Sequence, residues 1–296
     1  MDLYKEINAI LSQIPKGRIS TYKEVAKALG DENIARVLPN MIKNFSNAHR
    51  VIRSNGDVRG KEKFLAREGI EVKKGKIHVK NYLFKDFITS HPLKKLREEQ
   101  IELRKKVCLE DKFEEIKTIA GMDVAYDGKE GYGAYVEMDM DGNVIKEKVI
   151  RKEITFPYIP SYLAYREIPI LNELIKKEKP SVALIDGNGI LHPYKFGIAS
   201  HFGVLNNIAS IGIAKKLLCG EVKNSYIYIG DEKVGMTYAK NAKPIYISPG
   251  HNISLESASM LTMKLCKYRI PEPLRKAHIS ANRAKGFTSI SESENF

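Results

Sequence analysis

The sequence predicts an α/β protein: a mixed sheet with flanking helices, preceded by a small helix-turn-helix domain. Three observations carry this. Beyond residue 117 the apolar spacing changes from helical to strand-like over three consecutive runs. Two further apolar runs, residues 181–186 and 209–214, alternate with helical stretches, the order that lays parallel strands side by side. The first 88 residues hold short helices punctuated by Gly and Pro, and carry 18 basic against 10 acidic residues, whereas residues 89–296 carry 31 and 26. More than half of the +13 excess therefore sits in less than a third of the 296 residues, which divides the chain into a domain over 1–88 and a domain over 89–296.

Each element follows in order. Leu3, Ile7, Ile10, Leu11 and Ile14 share one helical face, ended by Pro15-Lys16-Gly17. Ser20 or Thr21 is the N-cap of a helix over 22–29 that stops at Gly30, and Glu24, three residues after Thr21, completes a capping box. A second short helix over 33–44 follows; with Lys23, Lys27, Arg36 and Lys43 the pair has the form of a helix-turn-helix, a form shared by helical hairpins that bind nothing. Residues 93–114 open the second domain with an amphipathic helix. Residues 118–126, 132–138 and 144–154 are strands joined at Asp127-Gly128 and Asp141-Gly142-Asn143, turns that suit antiparallel neighbours. A helix over 161–177 leads to the buried strand 181–186. Then come a helix over 196–206, the strand 209–214, two strands within 226–238, a strand over 244–248 and a helix over 255–268. Three antiparallel strands followed by helix-alternating ones is the order of a ribonuclease H-like sheet.

Composition narrows the partners. At 43% hydrophobic and 29% charged residues the chain is not a largely disordered one. No apolar stretch approaches the roughly 18 residues of a membrane span. Three cysteines are too few and too scattered for a disulfide framework or a four-Cys zinc site, which points to the reducing cytoplasm. The positive excess suits a polyanionic partner without identifying it.

The informative residues are acids in apolar surroundings. Asp123 lies inside the run 119–126, where a carboxylate is costly unless a cation meets it; a satisfied buried Asp is the alternative. Asp186 ends a buried strand and precedes Gly187-Asn188-Gly189, at the carboxyl edge where open α/β sheets gather ligands; an ordinary Asx turn is the alternative. Glu167 lies on the intervening helix, where a solvated glutamate is the default. Three carboxylates from separate elements form the oxygen donor set of a hard cation such as Mg²⁺, which keeps waters to activate or bridges to phosphate. Four strings stand beside them. Residues 156–163 pack two prolines and three aromatics into a stiff segment able to wedge into a base stack, or to pack as an apolar loop. Residues 186–193 bring glycines and His192 near the acids, Lys215 follows a buried strand, and His278 follows the proline pair Pro271 and Pro273.

Taken in order, the strings AGMDVAY, FPYIPSYLAYRE, LIDGNGILHPYKFGIASHFG, IGIAKKLLCG, YISPGHNIS and IPEPLRKAH resemble endonuclease V, over about residues 93–283. The resemblance implies a ribonuclease H-like fold and Mg²⁺-dependent hydrolysis of DNA containing deaminated bases, at the second phosphodiester bond 3′ to hypoxanthine. Carried over by position, Asp123, Glu167 and Asp186 match the metal carboxylates, Lys215 the active-site lysine, and His278 a residue near the metal. Pro157-Tyr158-Ile159-Pro160 matches the wedge that fills the place of the rotated nucleotide, and Gly187 and Gly189 wall the base pocket, read through backbone groups. The family carries glycine after the second wedge proline; here it is Ser161.

The front segment resembles the DNA-binding domain of alkylguanine-DNA alkyltransferases, a winged-helix domain, through residues 14–26, Ala35-Arg36, 48–52, 54–56 and 64–69. That family has Pro-Cys-His-Arg-Val where this chain has Asn47-Ala48-His49-Arg50-Val51, and no cysteine precedes Cys108. Ala48 cannot accept an alkyl group, so the resemblance is to alkyltransferase-like proteins, which sense damaged guanine without chemistry. Tyr22 matches the residue that helps rotate the nucleotide and Arg36 the arginine that replaces it; Arg50 joins the DNA-binding set. The expected partner is duplex, nicked or single-stranded DNA with deaminated bases. Inosine-containing RNA is the nearest alternative, and a non-catalytic damage-binding scaffold a more distant one.

Overall fold

The structure, a computed structural model, describes residues 1–240 and 243–293, with side chains through residue 286. It divides into two compact units, Met1–Glu99 with Thr155–Pro160, and Gln100–Ile154 with Ser161–Phe296. The first unit thus runs past the expected division at 88/89. Local contacts explain the extension: Thr89 Oγ1 donates to the Ala28 carbonyl, and a Cβ on Gly30 would stand 2.8 Å from the Lys94 nitrogen. Leu3 N–H donates to Thr155 O and ties in the returning segment.

In the first unit, α1 (Leu3–Ser12) leads to β1 (Ser20–Thr21) and α2 (Tyr22–Leu29). Thr21 Oγ1 accepts from Glu24 N–H, and Gly30 ends α2 at φ 97°, a left-handed turn that suits glycine. The single helix expected over 33–44 is instead a 3₁₀ turn, Glu32–Arg36, followed by α3 (Leu38–Ile42). Pro39 is the reason: lacking an N–H, it cannot continue a helix and sits in the first turn of a new one. β2 (Val51–Ile52) pairs parallel with β1, and α4 (Glu62–Arg67), α5 (Val79–Tyr82) and the first half of α6 (Pro92–Arg104) complete the unit. Asp57 bridges Lys76 antiparallel, forming a small wing, over a core that includes Ile19, Ile52, Val58, Leu65 and Ile70.

Among the described residues, the second unit is built on one nine-stranded mixed sheet. Its strands are β3 (Thr118–Asp127), β4 (Glu130–Asp139), β5 (Val144–Glu153), β6 (Val182–Asp186), β7 (Ala209–Ala214), β8 (Glu221–Lys223), β9 (Tyr226–Ile229), β10 (Glu232–Tyr238) and β11 (Ile245–His251). They lie in the order β5-β4-β3-β6-β7-β11-β10-β9-β8, with β3, β6 and β7 parallel and every other pairing antiparallel. The ribonuclease H-like order of three antiparallel strands and then helix-alternating ones is present, and β8 was not foreseen. The helices are α7 (Leu163–Ile175), α8 (Ile198–Asn206), α9 (Leu255–Leu265) and α10 (Glu272–Ser293). One face packs Ala120, Met122, Val124, Ala183 and Ile185 against α7 and α8. The other packs Ile119, Val182 and Leu184 with Leu261 and Leu274, and Ala125 with Ala277 and Ala281. No helix among the described residues is long and apolar enough to cross a membrane.

Candidate active site

Strand register places two of the acids. β3 and β6 run parallel with Met122 opposite Ile185, so the next residues, Asp123 and Asp186, stand side by side at the carboxyl end of β6. Side chains alternate along a strand, so Asp123 shares the α10 face with Gly121 and Ala125, and Asp186 shares it with Val182 and Leu184. Gly121 is what lets α10 approach. A Cβ there would lie 2.2 Å from the Pro273 carbonyl carbon and 2.3 Å from the Leu274 nitrogen. One turn after Leu274, His278 meets Asp123, with Nδ1 2.6 Å from Oδ2. Lys215, the first residue after β7, donates to Asp186 Oδ2 at 2.5 Å. One ligand atom from each of Asp123, Asp186 and His278 lies within 4.8 Å of the others.

Glu167 comes from the opposite face, on α7, and is not one of those three. Its Oε1 accepts from the Tyr126 hydroxyl at 2.5 Å, and the Arg166 guanidinium stacks 4.3 Å from the Tyr126 ring centre. Glu167 nonetheless shares the field of the cluster. Burial pushes its carboxyl up, with the Asp123 and Asp186 charges adding to it, and the Tyr126 hydrogen bond only partly opposes them, leaving it at about 8. Burial and then the Asp123 charge also raise Asp186, against Lys215 and His278. Burial, then Glu167, raises Tyr126 far above the ordinary phenol range, so it stays a donor. Lys215 and His278 face Asp186 and Asp123, Arg166 acts on Glu167, and hard oxygen donors from separate elements fit a divalent cation such as Mg²⁺.

The remaining expected residues divide. In the wedge, Tyr158 is 63% exposed, while Ile159 is fully buried and Pro157 is buried, so Tyr158 and Pro160 alone point outward. Ser161 adopts φ 67°, which accounts for the glycine of the resemblance at this position. The backbone reading expected of Gly187 and Gly189 is not met by their N–H groups: Gly187 donates to Ile213 O and Gly189 to Ser248 Oγ. Gly189 serves close packing instead, since a Cβ there would lie 2.1 Å from the Pro249 carbonyl oxygen. Between them Asn188 keeps a buried Oδ1 with no hydrogen-bond partner among the described residues. A cleft of about 530 Å³ lined by Lys112, Lys179, Asn206 and Asn252 contains none of these residues.

In the first unit, Arg36 is exposed and Tyr22 lines a cavity of about 150 Å³ with Ile52, Arg53, Asp57 and Lys61. Ala48 is buried, and its carbonyl accepts from Lys61 Nζ at 3.0 Å. Arg50, expected to meet DNA, is turned inward: Nε and Nη2 bind Glu68, and Nη1 donates to Ile14 O at 2.8 Å. Lys61 was missed, although it lies within the stretch between two recognised blocks. Tyr126 and Gly121 were also missed; both stand inside the AGMDVAY string, and the signal was their spacing from Asp123.

Two known families match this chain. The family described as Endonuclease V matches residues 101–279, and that described as 6-O-methylguanine DNA methyltransferase, DNA binding domain, matches residues 2–78. A bifunctional methyltransferase/endonuclease of Picrophilus torridus is 39% identical over 94% of this chain and 95% of its own. Human endonuclease V is 30% identical, with a TM-score of 0.62, over 67% of this chain and 99% of its own. Ciona intestinalis endonuclease V, solved in complex with DNA containing an inosine followed by a ribo-adenosine, is 29% identical with a TM-score of 0.61, over 66% of this chain and 98% of its own. The matched span contains the acidic cluster and Glu167, so the chain belongs to the endonuclease V family, metal-dependent DNA-repair endonucleases, and carries a methyltransferase-type DNA-binding domain ahead of the nuclease.

Proposed function

We propose that the chain recognises deaminated bases, hypoxanthine in deoxyinosine first among them, and hydrolyses the second phosphodiester bond on the 3′ side with Mg²⁺. The convergence of Asp123, Asp186 and His278, beside a buried Glu167, carries this reading. Asp123, Glu167 and Asp186 are the residues to hold the cation. When bound, Mg²⁺ supplies Lewis-acid polarisation of a phosphoryl oxygen and activation of water. His278 orients Asp123, and Lys215 holds Asp186 while placing a positive charge where the phosphate would lie. Tyr158, exposed in the segment before Ser161, is the side chain suited to enter the stack beside a rotated nucleotide. The 187–189 loop walls the base pocket, with Asn188 Oδ1 as a polar acceptor. The inosine-containing DNA bound by the Ciona relative supports the substrate class.

Nicking of an inosine duplex, with Mg²⁺ and with chelator, tests the reading. Cleavage that survives chelator, or that persists in Asp123→Ala, would sink it. The ribo-adenosine in the Ciona complex favours one second reading, cleavage of inosine-containing RNA. Competition between matched DNA and RNA strands decides between them, and faster cutting of RNA selects the latter.

We infer for residues 1–88 a non-catalytic DNA-binding role in the cytoplasm, with Ala48 in place of a nucleophile and Tyr22 and Arg36 presented to DNA. In the full chain, Arg36→Ala should weaken binding to an alkylguanine duplex more than to a plain one at fixed salt. Equal losses would reduce the domain to a general tether.

A further inference from the structure

We infer that Tyr126 sets the cation preference of the site: by occupying one oxygen of Glu167 it leaves that carboxylate a single oxygen to offer, which favours Mg²⁺ over Ca²⁺. The inference rests on the metal-site reading above and adds to it a residue with no assigned role.

Each carboxylate has one oxygen taken by a side chain of the protein: Asp123 Oδ2 by His278 at 2.6 Å, Asp186 Oδ2 by Lys215 at 2.5 Å, and Glu167 Oε1 by Tyr126 at 2.5 Å. Among the described residues no other hydrogen bond reaches the remaining three oxygens. Three acids are thereby reduced to three single donors. Ca²⁺ takes about six to eight oxygens and accepts carboxylates through both, whereas Mg²⁺ demands a near-octahedral shell and takes one oxygen from each of a few carboxylates.

Of the three restraints, Tyr126 is the one that can be removed without changing charge. It stands three residues beyond Asp123 on β3, hence on the α7 face, where Glu167 arrives. The stacked Arg166 guanidinium holds its ring, and both partners lie on regular elements, so the hydroxyl is delivered to Oε1 by the backbone. Glu167 has a flexible stem, and without the phenol it is able to turn both oxygens toward a larger ion. Tyr126 is thus a positioning residue that acts through Glu167.

Calorimetric titration of the full chain with Mg²⁺ and, separately, Ca²⁺, without DNA, tests this. Tyr126→Phe keeps the ring and should raise the ratio of Ca²⁺ to Mg²⁺ affinity by about tenfold, the scale of losing one outer-shell hydrogen bond to a ligand. Arg166→Lys, which loosens the ring but leaves its hydroxyl, should move the ratio the same way by less, and it decides the matter if Tyr126→Phe does not fold. An unchanged ratio in the folded variant overturns the inference. Asp123→Asn separates the two layers. If it binds both ions as the parent does, the metal-site reading fails; if it loses them while Tyr126→Phe keeps the parental ratio, only the role of Tyr126 fails.

Discussion

Two glutamates, one in each unit, show how the same side chain is put to opposite uses. Glu68 in the first unit accepts from Arg50 Nη2 at 2.8 Å, from His49 Nε2 at 2.8 Å and from Gly17 N–H at 3.1 Å. Burial alone would raise its carboxyl, but these hydrogen bonds prevail and hold it at about 2. Glu167 in the second unit has one neutral phenol as donor, and burial, with the Asp123 and Asp186 charges adding to it, raises it to about 8 against that hydrogen bond and the Arg166 charge. Lys61 in the first unit behaves more like Glu167: its ammonium donates only to neutral acceptors, on Tyr22, Ala48 and Val51, and burial lowers it to about 8. Glu68 is thus matched by an opposite charge and serves as scaffold. Glu167 is instead crowded among acids and held toward its protonated form, the kind of perturbation that functional sites carry.

The contrast can be broken most sharply at Asp123. Asp123→Ala should lower nicking of an inosine duplex on the order of a thousandfold, the scale of removing a preorganised electrostatic group. Its thermal midpoint in chelator should not fall, because a charge is removed from a crowded acidic site. Next is Glu68→Gln, which strands Arg50 beside a neutral amide and should cost about 3 kcal/mol in urea unfolding, with no such loss for Glu167→Gln. Equal costs would mean that the two glutamates are not used differently.

Stability against pH sharpens the same comparison. Glu68 lies below its ordinary 4.5, so its contribution is present above that pH and is lost as pH falls toward about 2. Glu167 lies above 4.5, so the folded state binds the extra proton, and the chelated chain should lose stability as pH rises from 4.5 to about 8. Chemical denaturation across that range should show the downward slope in the parent and its loss in Glu167→Gln. The smallest effect belongs to Ser161. Ser161→Gly relieves a side chain held at φ 67° and should stabilise by about 0.5 kcal/mol with nicking retained.

Much of this was legible before folding was considered. The α2 N-cap at Thr21, its Gly30 stop and the β7 bounds stand where local signals put them, because each depends on neighbours a few residues away, while the Glu24 side chain of the expected capping box pairs with Lys27 instead. The helix expected over 33–44 breaks because Pro39 lacks the backbone donor that would continue it and opens a new turn instead. Arg50 was misread for another reason. An arginine in a basic segment looks like a phosphate contact until Glu68, eighteen residues on, is brought within 3.0 Å.

By itself the sequence determined which groups are available: two acids at apolar strands and a glutamate on the helix between them, a lysine after a strand, and Ala48 where a thiolate would be required. Those are matters of composition and order, and no folding changes them. Tertiary structure alone decided their states. Parallel register set Asp123 beside Asp186, the missing Cβ of Gly121 admitted α10 and with it His278, and strand alternation turned Tyr126 to the α7 face, where its hydroxyl meets Glu167. Protonation and ligation depend on burial and on charges a few ångströms away, and those distances arise between residues far apart in the chain.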